Sequence, residues 1–256
     1  MGNFLSLRRA YDTDRQLKQD VDLSTQGRSM TARLSGRNAY YNAKLNTLLN
    51  KTKSDLISTV RKFMDLETDR KETSKAMRRI LTTAHKTAYL YGMKAGGYDG
   101  KDVPSPDKQW EERNRRAQYK FLYPFLDDIA AGRGKINYLD RAAMYTQDIH
   151  GAFNAGKIST VPNNLAVYWA LNKSKSPITG LPVDHCDTCL FMSDRNPWTV
   201  DTIPIVPRGN HTLCLVNCQC RINLRKVTDK TLEKIRSKQG RPARTLAEMR
   251  KQGILR

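Results

Sequence analysis

Residues 185–224 read HCDTCLFMSDRNPWTVDTIPIVPRGNHTLCLVNCQCRINL and contain every cysteine of the chain. The five thiols fall into two groups along this stretch, and they are Cys186, Cys189, Cys214, Cys218 and Cys220. Two of the four histidines, His185 and His211, lie here as well. Such segregation of cysteine indicates a metal site, a set of disulfides or a redox pair.

A structural zinc ion is the interpretation that this spacing favours. Structural zinc sites use four nitrogen or sulfur ligands, commonly two from each of two short segments. Cys186-x-x-Cys189 suits a tight turn that aims both sulfurs at one point. We expect one zinc ion per chain, bound by four of the five cysteines. His185 and His211 are the alternative ligands for one of the four positions.

Disulfides and reduced thiols both remain open as alternatives to a metal. One or two disulfides would form if the protein left the reducing cytosol. The thiols would otherwise stay reduced and pack as small apolar side chains. A catalytic pair of Cys186 and His185 is disfavoured, because adjacent residues rarely face each other and no third orienting group is present nearby.

The cysteines belong to a longer pattern that includes a Trp turn, an apolar-Pro step, a Gly and an Asn. Its members are Cys186, Cys189, Trp198, Ile203, Pro204, Gly209, Cys214, Asn217, Cys218, Cys220 and Ile222. This pattern resembles the C-terminal end of the minor head, or head morphogenesis, proteins of tailed bacteriophages. That family often has Arg between the last two cysteines, whereas this chain has Gln219 there and Arg221 later.

A predicted pair of helices before the cysteines extends the resemblance. The family has a helix ending in Gly, a short loop, and a second helix with a recurring set of residue types. The matching residues of the second helix are Arg141, Ala142, Tyr145, Ala152, Phe153 and Gly156. The resemblance therefore covers about residues 108–224, and the first 100 residues are interpreted from their own pattern alone.

The resemblance implies a non-catalytic structural protein of a phage virion, assembled in the cytoplasm of the bacterial host. Such a minor head protein works near the portal, inside the capsid or at the head–tail junction. Its expected partners are the portal protein, the major capsid protein and other copies of itself. The resemblance implies no small-molecule substrate.

The charge of the chain favours a polyanionic partner. The 256 residues carry a formal net charge of +20, and the mean hydropathy is −0.66. Small soluble domains usually carry a net charge of magnitude about 2–8. Nucleic acid, acidic protein surfaces and anionic lipid are the partners that this bias predicts, and solubility alone is the alternative explanation. In the virion that the resemblance implies, the basic termini would contact packaged DNA or acidic walls of the capsid. No membrane is expected, because no stretch approaches the roughly 20 apolar residues of a spanning helix.

Helical periodicity fills the first part of the chain. Ser54 is expected to begin one helix by capping its first turn. Thr73 or Ser74 is expected to begin the next helix, which Gly96 and Gly97 end.

Basic residues lie on the polar face of the second of these helices. They are Lys71, Lys75, Arg78 and Arg79. An ordinary solvated face and an electrostatic contact strip both fit this pattern, and the sequence leaves both open.

Further helices and a strand are expected before the cysteines. Residues 110–132 have a helical stripe that Pro124 interrupts, which predicts a kink or a restart. Residues 138–155 are expected to form one further helix. Residues 165–171 are short, aromatic and apolar, which is typical of a strand.

These patterns predict a mainly α protein, with helical hairpins or a bundle, a small C-terminal Cys-rich β module resembling a zinc knuckle, and extended basic termini. The expected organisation is an N-terminal arm (1–36), a helical region (37–95), a linker loop (96–108), a helix pair (109–160), the Cys-rich module (161–224) and a basic tail (225–256). The tail holds 11 Lys or Arg and three Asp or Glu, a net charge of +8.

Two other functions are weaker alternatives. A nucleic-acid-binding zinc protein outside any virion fits the charge and the cysteines. An enzyme, either a nuclease or a thiol oxidoreductase using Cys186-x-x-Cys189, fits less well. The carboxylates show no clustered motif, and no βαβ pattern surrounds the CxxC.

Overall fold

The computed structural model describes residues 30–103, 112, 115–116, 119–174, 183–208 and 218–239. Within them the chain is mainly α-helical with one small sheet, as the sequence predicted. The elements are α1 (Met30–Met64), α2 (Arg70–Gly96), α3 (Leu122–Ala130), α4 (Tyr138–Met144), α5 (Ile149–Thr160), β1 (Leu165–Ala170), α6 (Asp187–Asp194), β2 (Trp198–Thr199), β3 (Arg221–Lys226) and α7 (Asp229–Gln239).

Helix α1 is longer than the sequence predicted at its N-terminal end. It begins at Met30, inside the segment that was expected to be an arm. Ser54 was expected to begin a helix, and this was wrong, because Ser54 lies exposed in the interior of α1. The helix continues through it because apolar residues on both sides, such as Leu45 and Leu56, are buried along one face. Residues 1–29 of the expected arm lie outside the described residues.

Helix α2 begins and ends at polar and glycine caps. The carboxylate of Asp69 accepts a hydrogen bond from the backbone N–H of Glu72, so Asp69 is the N-cap. Thr73 and Ser74 were expected to begin this helix, but both are buried within its first turns. Gly97 ends the helix in the left-handed conformation (φ 115°), as predicted for a glycine at this position.

Helix α2 packs closely against α5 because glycine replaces a side chain at the contact. A Cβ atom on Gly156 would collide with the carbonyl oxygen of Tyr89 and lie 3.1 Å from the amide nitrogen of Met93. The hydroxyl of Thr160 donates to the carbonyl of Met93 at 2.7 Å, next to this contact. The backbones of α2 and α5 therefore touch, which fixes α5 firmly on α2.

The helix expected over residues 138–155 is two helices, α4 and α5, separated by a turn at residues 145–148. The turn brings the buried carboxylate of Asp148 to 3.4 Å from Nε2 of His85 on α2. This tertiary contact explains the break, which local periodicity does not show. Pro124 lies in the first turn of α3, where a missing N–H costs little, so the predicted restart is confirmed.

The sheet has the order β2-β1-β3, and both pairings are antiparallel. The strand predicted over residues 165–171 is its central strand, β1. Both faces of β1 are covered: Val167 and Trp169 contact the main core, whereas Ala166 contacts Leu232 and Ile235 of α7. This double burial explains the unbroken apolar run of the strand.

Part of the expected basic tail is folded. Its first residues, Arg225 and Lys226, belong to β3, and α7 follows. Residues 240–256 lie outside the described residues. The expected linker over residues 96–108 does begin where α2 ends, and residues 104–108 are likewise not described.

One core joins the helices to the Cys-rich module. It includes Phe153 of α5 and Trp169 of β1, together with Cys189, Cys218 and Cys220. A second cluster lies between α1, α2, α3 and α4, where Leu81 and Phe125 are fully buried. Among the described residues no helix is both long and apolar enough to cross a membrane.

Candidate metal centre

Three cysteines converge where α6 and the start of β3 meet the main core. Cys189 lies in the first turn of α6, and Cys218 and Cys220 immediately precede β3. Helix α6 packs against β1, and β3 pairs with β1 from Leu165↔Lys226 to Ala170↔Arg221. The central strand therefore brings together two sequence segments that are far apart in the chain.

The three sulfur atoms are close enough to share one ion. All three lie within 4.8 Å of one another, and the sulfurs of Cys189 and Cys218 are 3.5 Å apart. Ligands at about 2.3 Å from a tetrahedral zinc ion have sulfur atoms about 3.8 Å apart. The three cysteines are buried, with 1%, 0% and 6% of their surface exposed. This geometry could bind a metal ion.

His185 lies next to Cys220, although it is not part of the group of three sulfurs that lie within 4.8 Å of one another. Its Nδ1 atom is 3.8 Å from the sulfur of Cys220. Its Nε2 atom is 2.9 Å from the carbonyl oxygen of Asn172. A histidine that binds a metal usually donates its other ring N–H to a carbonyl or carboxylate, which fixes the tautomer and the ring orientation. Asn172 supplies that acceptor.

The cluster favours the thiolate form of Cys220. Hydrogen bonds from Cys189 and Cys218 lower the pKa of the Cys220 thiol well below its usual value, and burial opposes them only in part. The backbone of Asn172 acts in the same direction. Thiolates are the form of cysteine that binds metals, so the site is electrostatically prepared for a cation.

Cys186 does not belong to the group of three. It is half-buried and is the N-cap residue of α6, one turn before Cys189. The tight turn expected for Cys186-x-x-Cys189 is instead the start of a helix. Cys214 and His211, the other candidate ligands, lie outside the described residues.

Two polar residues that no sequence motif singled out, Asn172 and Arg208, support the centre. The side-chain amide of Asn172 donates to the side-chain oxygen of Gln219 at 3.0 Å, so Asn172 contacts both cysteine segments. The Nε atom of Arg208 donates to the carbonyl of Cys218 at 2.7 Å. These contacts are tertiary, and no sequence spacing marks them. Gln219, which lies between the last two cysteines, thus has a side-chain partner at this site.

The surrounding backbone is braced in the same way. The side chain of Asn196 donates to the carbonyl of Trp169 at 2.8 Å and accepts from its amide at 2.7 Å. It therefore supplies β1 with the two hydrogen bonds that a neighbouring strand would make. The indole N–H of Trp198 donates to the carbonyl of Met192 at the end of α6. Helix α6 and β2 are thus fixed relative to β1.

These contacts describe a buried site whose surrounding backbone is held in place by side-chain hydrogen bonds. Structural zinc sites have four protein ligands, whereas catalytic ones keep a position for water. Comparison of the chain with protein-family models, with curated proteins and with solved structures gives no match.

Proposed function

We propose that this chain is a non-catalytic assembly protein whose C-terminal module is closed by one structural zinc ion. The ligands are Cys189, Cys218, Cys220 and His185. The observation that carries this proposal is the convergence of three buried sulfurs within 4.8 Å, beside a histidine whose second nitrogen faces a carbonyl. Cysteine and histidine ligands in a tetrahedral site favour zinc over magnesium or calcium.

A structural role is supported by the position of the site in the core. The same cluster of buried side chains contains the three cysteines and the residues of α2 and α5 that pack on them. An ion bound here would fasten the segments before α6 and β3 to the helices. Small modules with few apolar residues commonly need such a metal to fold.

A thiol oxidoreductase is less well supported by this geometry. Cys189 is only 1% exposed, so an external disulfide cannot approach its sulfur without local unfolding. Cys186 is not among the three sulfurs that come together. The pair of thiols that such an enzyme would use is therefore divided between two environments.

The setting in which the protein acts is proposed from the residues that resemble phage minor head proteins. In that setting the chain is a low-copy component of the virion and contacts the portal, the capsid shell or other copies of itself. The zinc ion would not take part in chemistry. It would keep the module folded while the helices make contacts.

Elemental analysis of the purified, reduced protein tests the metal site. We expect about one zinc ion per chain. His185→Ala and each of Cys189→Ser, Cys218→Ser and Cys220→Ser should lower the zinc content strongly. Cys186→Ser is the matched control and should keep it. Visible absorption of the cobalt(II)-substituted wild-type protein should show one nitrogen and three sulfur ligands, which does not depend on how well a variant folds.

Two outcomes separate the parts of this proposal. Zinc retention in His185→Ala with loss in Cys214→Ser would replace His185 by Cys214 as the fourth ligand. Mass spectrometry of purified particles tests the setting, and wild-type chain is expected in them while His185→Ala is depleted. Absence of the wild-type chain would refute the virion assignment and leave the metal site standing.

A further inference from the structure

Four basic side chains form a line along the solvent side of α2. They are Lys71, Lys75, Arg79 and Lys86, and we call them the basic stripe. All four are exposed. At about 100° per residue they fall within an arc of roughly 80° on the helix. The buried residues of α2, such as Met77, Leu81 and Ala88, lie on the opposite side.

The basic stripe is not explained by interactions within the described protein. Helix α2 contains seven Lys or Arg and one acidic residue, Glu72. None of the four stripe residues forms an ion pair with any described residue, and Lys86 alone of the four lines a cavity that Asp102 and Glu112 also line. Like charges four residues apart, as at Lys71, Lys75 and Arg79, destabilise a helix slightly. An ordinary solvated face mixes both signs of charge, so this arrangement points to an external anion.

Two further arginines of α2, Arg78 next to the stripe and Arg70 at the start of the helix, lie over aromatic rings. The guanidinium of Arg78 lies 5.4 Å from the ring centres of both Tyr119 and Tyr123. Arg70 lies 4.7 Å from the ring centre of Tyr123. These contacts limit the freedom of both arginines, and they cover the faces of the two half-buried tyrosines. Because Arg70 is also ion-paired with the carboxylate of Asp127, the positive charge that this pair adds next to the stripe comes from Arg78.

We propose that the basic stripe binds the sugar–phosphate backbone of duplex DNA without reading its sequence. Fifteen residues of helix separate Lys71 from Lys86, or about 22 Å. A duplex carries one phosphate charge per about 1.7 Å of its axis, so about 13 charges lie along that length. A straight, rigid row of cations suits a stiff duplex better than a flexible single strand. This surface lies on α2, away from the metal centre, and the inference does not depend on the ion.

Fluorescence anisotropy with a labelled duplex of about 20 base pairs tests this surface in the full-length chain. The stripe variant is Lys71→Gln, Lys75→Gln, Arg79→Gln and Lys86→Gln combined. Each phosphate contact contributes about 0.9 to the slope of log affinity against log salt. We expect the magnitude of that slope to fall by about 3 to 4, and the affinity at about 0.1 M salt to fall at least tenfold.

The comparison variant removes the same charge from the start of the basic tail, which is the part of the chain that the sequence predicted to contact DNA. It combines Lys226→Gln, Lys230→Gln, Lys234→Gln and Lys238→Gln, which are exposed on β3 and α7. It should keep most of the wild-type slope, and both variants should keep the wild-type helical circular dichroism. Equal losses in the two variants, or no loss in the stripe variant, would overturn the proposal.

Competition experiments identify the class of anion. Unlabelled duplex should displace the labelled duplex at much lower concentration than polyglutamate or single-stranded DNA of the same charge. If polyglutamate or the single strand competes as well as the duplex, and does so only with an intact basic stripe, then the stripe binds another partner and the proposal fails.

Discussion

His150 on α5 shows how burial changes the chemistry of a single side chain. Burial lowers the pKa of His150 from 6.5 to about 4, and the nearby guanidinium of Arg208 acts in the same direction. Arg208 in turn donates to the carbonyl of Cys218. A proton on His150 would therefore add positive charge beside a residue that braces the candidate metal centre.

The free energy of unfolding should depend on pH through this residue. The folded pKa lies below the unfolded one, so between about pH 6.5 and pH 4 the unfolded chain binds a proton that the folded chain does not. Stability contributed by neutral His150 is thus present above this window and is lost as the pH falls through it. His150→Gln should show a smaller loss than wild type in urea denaturation across the window.

Other ionisable groups also affect the pH dependence of stability, and the comparison of wild type with His150→Gln cancels their contribution. The cysteines and carboxylates are shared by wild type and His150→Gln, so only the difference between the two pH profiles reports on His150. Identical profiles would contradict the assignment.

At the scale of the elements, α2 and α5 cross so closely that no side chain fits at the points of contact. Glycine usually weakens a helix by about 0.5–1 kcal/mol relative to alanine. The sequence has glycine at Gly92 and Gly96 on α2 and at Gly156 on α5, and a Cβ on any of them would collide with backbone or side-chain atoms of the other helix. The close approach, rather than local flexibility, accounts for these glycines.

Gly156→Ala should therefore destabilise the protein although alanine favours a helix. The added methyl group meets the carbonyl of Tyr89, and separation of the two helices would open the core around it. We expect the free energy of unfolding to fall by about 1–3 kcal/mol, as for other overpacked cores. Urea denaturation followed by circular dichroism measures this. Ser159→Ala, an exposed change on the same helix, should be nearly neutral, and a Gly156→Ala protein as stable as wild type would disprove the close contact.

The elements differ in how far the sequence predicted them, and the differences have physical causes. The end of α2 at Gly97 and the strand β1 follow from glycine chemistry and from an unbroken apolar run, so both were predictable. The break before α5 depends on the contact between Asp148 and His85, which local periodicity cannot show. Ser54 is a residue type that often caps a helix. However, α1 continues through it because apolar residues before and after it in the chain are buried.

The candidate site was predictable in composition and not in arrangement. Clustered cysteines indicated a metal, and three of them do come together. Which thiol of Cys186 and Cys189 points inward depends on the start of α6, since the two lie on one helical turn. The contacts of Asn172 with His185 and Gln219 depend on how β1 pairs in the sheet. That pairing is a feature of the folded chain and has no signature in the sequence.

At the scale of the whole molecule, the Cys-rich module and the helices form one unit. Cys189 and Cys218 share a core with Phe153 of α5 and Tyr89 of α2. A module that folded separately would have a core of its own. The stability of the helices is therefore coupled to the state of the candidate metal centre.

Removal of the proposed zinc ion should consequently destabilise the helices as well as the module. A zinc chelator under reducing conditions should lower Tm by about 10 °C or more, because a structural ion contributes several kcal/mol. Circular dichroism at 222 nm reports mainly on the helices, whereas tryptophan fluorescence reports largely on the buried Trp169 and Trp198. Both signals should shift together. A fluorescence change with unaltered helical signal would show that the two parts unfold independently.

The position of β1 at the centre of the sheet also affects how the protein is made. A ribosome releases α1, α2 and α5 first, and these helices can associate while the later residues are still being added. The last partner of β1, the strand β3, ends at Lys226, and Cys218 and Cys220 arrive just before it. Until then Cys189 lacks the neighbouring sulfurs of Cys218 and Cys220, and Trp169 lacks the strand β3 that pairs with it. The proposed zinc ion therefore cannot bind all three sulfurs until Cys220 has been added to the chain.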